Sequence, residues 1–91
     1  MPKYVIERAM TGVGQLPDGD ICAASKKSNE VLASLAPRVQ WQQSYVTGDK
    51  IYCVYIADTV DDVMAHARGA GLPADKVSEV VSVIDPTTGG A

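Results

Sequence analysis

His66 is the only histidine of the chain, and its imidazole is the side chain best suited to change charge near neutral pH or to bind a transition metal. One imidazole makes a weak metal site, so carboxylates have to complete it. Glu7 and Glu79 are the candidate ligands because they lie on the first and last predicted strands, which the expected sheet places side by side. A histidine with two carboxylates suits a weakly held, mostly aquated Ni²⁺ or Zn²⁺. The alternative is a surface or structural histidine that hydrogen-bonds a backbone carbonyl.

A second candidate site is an aromatic cleft for a planar organic ligand. Trp41 and Tyr45 share one face of the second predicted strand, and Tyr55 lies on the third. Glu7 would supply a general base above this cleft, because its same-face neighbours on the first strand are apolar. The tyrosine hydroxyls would serve as polar contacts for the ligand. The alternatives are core and dimer packing for the aromatic side chains and a structural ion pair for Glu7.

Complete catalytic motifs are missing from the sequence, including GxSxG, HExxH and a Walker loop. Catalytic residues therefore stay unassigned at this level.

Hydrophobic periodicity predicts four strands and two helices. The first helix, at about 19–36, carries an apolar stripe at 4-3-4-3 spacing and stops before Pro37. The second helix is capped by Thr59 and ended by Gly69 and Gly71. The strands are predicted at Lys3–Ala9, 39–47, Lys50–Ala57 and 76–84.

This order of elements predicts an α+β domain with the ferredoxin-like βαββαβ topology, a four-stranded antiparallel sheet with both helices on one face. We expect a single domain over residues 1–86 and a flexible C-terminal tail at 87–91. The opposite face of the sheet is also apolar, which predicts a homodimer that covers it. Five side chains of the helical stripes are expected to be buried against the sheet: Ile21, Leu32, Leu35, Val63 and Met64.

The composition argues against several classes of partner. The 91 residues carry a net charge of −3 and no basic patch, which argues against a nucleic-acid partner. No stretch approaches the ~20 apolar residues that a membrane span needs. The charged N-terminus lacks the apolar run of a signal peptide. We therefore expect a cytoplasmic protein with no membrane partner, in which Cys22 and Cys53 are free thiols.

Four stretches resemble a family of small, uncharacterised bacterial proteins that is often labelled nickel-binding or nickel-responsive: YVIER (4–8), QSYVTGDKIYCVY (43–55), HARGAGLPA (66–74) and IDPTT (84–88). The resemblance covers nearly the whole chain and implies a dimeric ferredoxin-like fold with nickel as the bound metal. In the nickel-binding members a histidine follows strand one and further histidines flank helix two. Here Arg8 stands at the strand-one position and His66 is the only histidine.

Two classes of function follow from these observations. The first is a small dimeric binding protein for a divalent transition metal such as nickel. The second is a cofactor-free enzyme, or a protein that binds a small organic ligand, with the aromatic cleft over the sheet as its site.

Overall fold

The computed structural model describes residues 1–90, which form one sheet with two helices. The strands follow the order β2-β3-β1-β4 across the sheet, and every pairing is antiparallel. This arrangement confirms the α+β, ferredoxin-like prediction. No helix among these residues is long and apolar enough to cross a membrane. The elements are β1 (Lys3–Ala9), α1 (Asp18–Leu35), β2 (Val39–Val46), β3 (Lys50–Ala57), α2 (Val60–Ala70) and β4 (Lys76–Glu79), with short 3-10 helices at Val13–Gln15 and Pro86–Gly89.

The second helix is capped by Thr59 and ends at Gly71 as predicted, whereas Gly69, also predicted to end it, lies inside the helix. The Thr59 hydroxyl accepts a hydrogen bond from the backbone N–H of Asp62 at 3.2 Å, which satisfies one free donor of the first turn. Gly71 ends the helix in the left-handed conformation, with φ of 68°, which favours glycine. These two ends orient α2 so that Val63, His66 and Ala67 are buried.

The side chains of β1 alternate between the two faces of the sheet and show which face the helices cover. Tyr4, Ile6 and Arg8 are buried on the side that the helices cover, and the side chains between them point to the other side, which we call the open face. Of the five helical residues expected in the core, Val63 is fully buried. Leu32 and Leu35 are half-buried and pack against the core cluster to which Val63 belongs. The other two, Ile21 and Met64, are half-buried as well.

A β-bulge at Gln42 changes which face the second half of β2 presents. Trp41 pairs with Tyr55, but the next pair along is Gln43 with Val54, so Gln42 has no partner on β3. The extra residue reverses the alternation beyond it. Ser44 consequently turns to the helix side and Tyr45 to the open face.

Strand β4 is shorter than predicted, because pairing ends soon after Glu79. The last bond of this ladder runs from the Val80 N–H to the Lys3 carbonyl, at 2.8 Å. Beyond it the apolar segment 80–84 leaves the sheet, with Val81, Val83 and Ile84 exposed by 94%, 73% and 75%. The Pro86–Gly89 helix follows, capped by the Asp85 carboxylate. The boundary at residue 86 and the flexible tail stay predictions, and residue 91 lies outside the described residues.

Candidate functional site

A cavity of about 230 Å³ lies between the sheet, helix α1 and the loop that follows β1. Its walls are mostly apolar, and its few polar groups come from side chains on the sheet and on α1. The apolar walls include Val13, Leu16, Ile21, Val46, Ile51 and Leu72, and the polar or aromatic lining includes Arg8, Ser28, Trp41, Ser44, Cys53 and Tyr55.

Arg8 lines this cavity although it is 0% exposed. Its Nε donates to Cys53 Sγ at 3.4 Å, its Nη2 donates to the Tyr55 hydroxyl at 3.3 Å, and its Nη1 donates to the Pro73 carbonyl. None of the three acceptors is a carboxylate. Within residues 1–90 no carboxylate lies within 4.0 Å of the guanidinium, since the two ion pairs of this part of the chain are Arg38–Asp62 and Lys50–Glu7.

The register of the sheet explains how these contacts form. Arg8 lies opposite Ile51 on β3, so the same-face residues Cys53 and Tyr55 are the next two along that strand. The arginine side chain reaches along β3 to both of them. Burial raises the pKa of Tyr55 to about 12, so its phenol is neutral at physiological pH. This hydroxyl accepts from Arg8, and a hydrogen bond with Cys53 also contributes to its raised pKa, so Cys53 is one acceptor for its own proton.

His66 is buried behind the cavity, between α2 and the other elements. Its Nε2 lies 2.9 Å from Ser28 Oγ on α1, and its ring centroid lies 5.1 Å from that of Tyr55. Within the part of the chain that the structure describes, its Nδ1 has no hydrogen-bond partner. Burial, and next the charge of Arg8, lower the pKa of His66 below its ordinary value, so the ring is neutral. The hydrogen-bond partner of His66 is thus a hydroxyl rather than the expected backbone carbonyl, and its role as a metal ligand stays a prediction.

Acidification should destabilise the protein through His66. Because the folded-state pKa is lowered, the unfolded chain binds more protons below about pH 6.5. This stability is fully present above that pH and is lost as pH falls toward the folded-state pKa. Urea unfolding at pH 7.5, 6.5 and 5.5 measures how the free energy of unfolding changes with pH. An NMR titration gives the pKa of His66 without ambiguity, because the chain has a single histidine. His66→Gln should flatten the slope, and an unchanged slope in that variant would contradict the assignment.

The structure does not bring His66, Glu7 and Glu79 together. His66 lies between the helices and the sheet, whereas Glu7 is on the open face with Oε1 3.9 Å from Lys50 Nζ. Glu79 pairs with Tyr4 and so shares its side of the sheet, but it is exposed on an edge strand. The sheet itself therefore separates the two carboxylates. No group of three His, Cys, Asp or Glu side chains that could hold a metal ion occurs in residues 1–90.

The predicted aromatic cleft is likewise divided between the two faces. Trp41 and Tyr55 line the cavity, and the Trp41 indole donates to Ser44 Oγ at 2.9 Å. Tyr45 is 57% exposed on the open face, which it shares with Glu7. The bulge at Gln42 is the reason, because simple alternation would have kept Tyr45 beside Trp41.

Arg8 and Ser28 are the important residues of this site that the sequence prediction missed. A signal for Arg8 was present, because it continues the alternating series of Tyr4 and Ile6 on β1. Ser28 also lay on the predicted apolar stripe of α1, where a small polar residue indicates a buried hydrogen bond. Ser44 gave no signal, because only the bulge turns it inward.

Comparisons with known proteins gave one family match and one structure of similar fold. Residues 4–80 match the sequence model of a family described as nickel responsive protein SCO4226-like. The fold is similar to the crystal structure of SCO4226 from Streptomyces coelicolor A3(2), with a TM-score of 0.76 and 19% sequence identity, over 90% of this chain and 99% of that one. No curated protein sequence is significantly similar to this chain.

Proposed function

The chain belongs to the SCO4226-like family of nickel responsive proteins, a description that names a response and no reaction, and on that premise we propose that it is a small binding protein. Its ligand is a compact organic molecule held in the cavity between the sheet and α1.

The shape and lining of the cavity carry this proposal. Sites for small organic ligands are concave and mostly apolar, with a few polar groups that fix the orientation of the ligand. The cavity here has apolar walls, and Arg8, Tyr55 and Ser28 are among its polar lining residues. Its volume of about 230 Å³ lies below the roughly 300 Å³ typical of the smallest drug-sized pockets. A compact ligand, such as a single ring with one substituent, suits this volume.

Trp41 provides the readout for a binding test. It is the only tryptophan and it lines the cavity, so a ligand that enters should change its fluorescence. We expect saturable changes with phenylacetate or 2-phenylacetamide, and a retained ligand in native mass spectra of tag-free protein.

A matched pair of variants tests where the ligand sits. Ser25→Phe places a ring in the cavity, whereas Ser34→Phe places one on an exposed part of the same helix. Only the first should weaken binding. Equal affinities of the two variants, or no saturable response and no retained ligand in the wild type, would overturn the proposal.

Nickel binding is the second proposed function, and the description of the family favours it. The neutral ring of His66 is in the protonation state that a metal requires. Glu7 and Glu79 of one chain lie on opposite faces of the sheet, so the two cannot complete this site together. Calorimetry with nickel chloride on the tag-free wild type and on His66→Gln tests this function. Binding by the wild type alone supports it, and equal binding removes His66 from the site.

We also propose that the protein is a homodimer. Two features support this assembly: the open face carries half-buried apolar side chains such as Val5 and Val54, and beyond the Val80–Lys3 hydrogen bond the segment 81–84 exposes two valines. A second copy that covers both would bury about 1,500 Å² or more in total. Analytical ultracentrifugation at tens of micromolar is expected to give the dimer mass, and a monomer would contradict the proposal.

A further inference from the structure

We propose that the ligand of this cavity is an organic monoanion, an apolar body with one carboxylate, and that the carboxylate pairs with Arg8. The inference rests on the proposed function, because it assigns a chemical class to the ligand of the same cavity.

The unbalanced charge of Arg8 is the first argument. A guanidinium stays protonated inside a protein, so this side chain brings a full positive charge into the interior. Burying a charge costs several kcal/mol unless an opposite charge and hydrogen bonds compensate for it. Among residues 1–90, Arg8 has hydrogen-bond acceptors but no carboxylate as a counter-charge. Arg38, by contrast, does form an ion pair: its Nε lies 3.7 Å from the Asp62 carboxylate, and its side chain is largely exposed.

The remaining donors of the site suit a carboxylate. Arg8 uses three of its five N–H groups on protein acceptors, so two remain for a ligand. The Tyr55 hydroxyl lies beside the guanidinium, at 3.3 Å from Nη2, and it is neutral and able to donate. A carboxylate at this position would accept from both groups, which makes the hydrogen bonds charge-assisted.

The walls of the cavity determine the rest of the ligand. Trp41, Ile21 and Leu72 surround the space beyond the polar end, so an apolar body is stabilised there. A strongly hydrated inorganic anion would leave this surface empty and would lose its water shell. The neighbouring His66 is neutral, so Arg8 supplies one positive charge and the site balances one negative charge.

Two ligands of nearly equal shape test whether the site recognises the charge of its ligand. Phenylacetate and 2-phenylacetamide differ chiefly in the carboxylate, and both can be titrated by Trp41 fluorescence and by calorimetry. We expect the wild type to bind phenylacetate about tenfold more tightly or better, as a buried charge-assisted pair requires. Arg8→Met should abolish this preference, whereas Arg68→Met, which changes an exposed arginine of α2, should retain it.

Further measurements keep the test decisive if Arg8→Met folds poorly. Tyr55→Phe keeps the ring and removes one donor, so it should weaken phenylacetate binding more than 2-phenylacetamide binding, because only the carboxylate loses a charge-assisted hydrogen bond. A bound anion near Arg8 should also raise the pKa of His66 in an NMR titration, because it offsets the charge that lowers this pKa.

The outcomes distinguish this inference from the proposed function. Equal wild-type affinities for the two compounds would overturn the anion assignment and leave the binding function intact. Binding of neither compound would overturn both. Inorganic phosphate that competes as well as phenylacetate, or an unchanged preference in Arg8→Met, would also overturn the assignment.

Discussion

Ile6→Ala is expected to lower the free energy of unfolding by about 2–5 kcal/mol. Ile6 is 0% exposed and belongs to the core cluster that includes Tyr4, Tyr55 and Val63. It lies on β1, which pairs with β3 on one side and β4 on the other, so the surrounding backbone cannot collapse into the cavity that alanine leaves. A domain of this size has roughly 5–15 kcal/mol of stability in total, so the loss is a large fraction of it. Urea denaturation monitored by circular dichroism measures the change.

The matched control is Val5→Ala on the adjacent residue of the same strand. Val5 points to the open face and is only half-buried, so its truncation should cost about 1 kcal/mol or less in the monomer. Both variants should be compared at a concentration that favours the monomer, because Val5 lies on the face proposed for dimerisation. Equal losses from the two substitutions would show that the core does not lie on the helix side of β1.

Val81→Asp combined with Val83→Asp is expected to raise the dimer dissociation constant by about 100-fold or more. The two valines are 94% and 73% exposed in the single chain, so charged replacements cost its fold little. In the proposed dimer the same positions would be covered, and two carboxylates without partners would be desolvated there. A total cost of about 2.8 kcal/mol in the free energy of dimerisation already raises the dissociation constant about 100-fold.

Sedimentation velocity across a concentration series measures this change. The control combines Asn29→Asp with Ala33→Asp, which adds the same two negative charges on exposed positions of α1. The control should remain dimeric. If the valine variant dimerises as tightly as the wild type, segment 80–84 is not part of the interface.

The sequence by itself was sufficient for the architecture. The alternation of residues predicted β1 and β3 with the bounds that the structure has, and the periodicity and helix ends predicted α1 and α2 to within a few residues. Local chemistry decides these features, as the Thr59 cap and the Gly71 terminus show. Strand β4 was predicted too long because Val81 and Val83 have strong strand propensity, whereas a strand also needs a neighbour to pair with.

Only the tertiary structure decided the site. A single bulge at Gln42 separated Tyr45 from Trp41, and strand alternation in the folded sheet placed Glu7 on the far side from His66. The alternation of β1 was sufficient to place Arg8 beside Tyr4 and Ile6, but its contacts with Cys53, Tyr55 and Pro73 come from tertiary packing. Periodicity specifies which face a residue occupies while the register is regular. What lies opposite that face depends on contacts between residues far apart in the chain, such as Arg8 with Pro73, which no local pattern encodes.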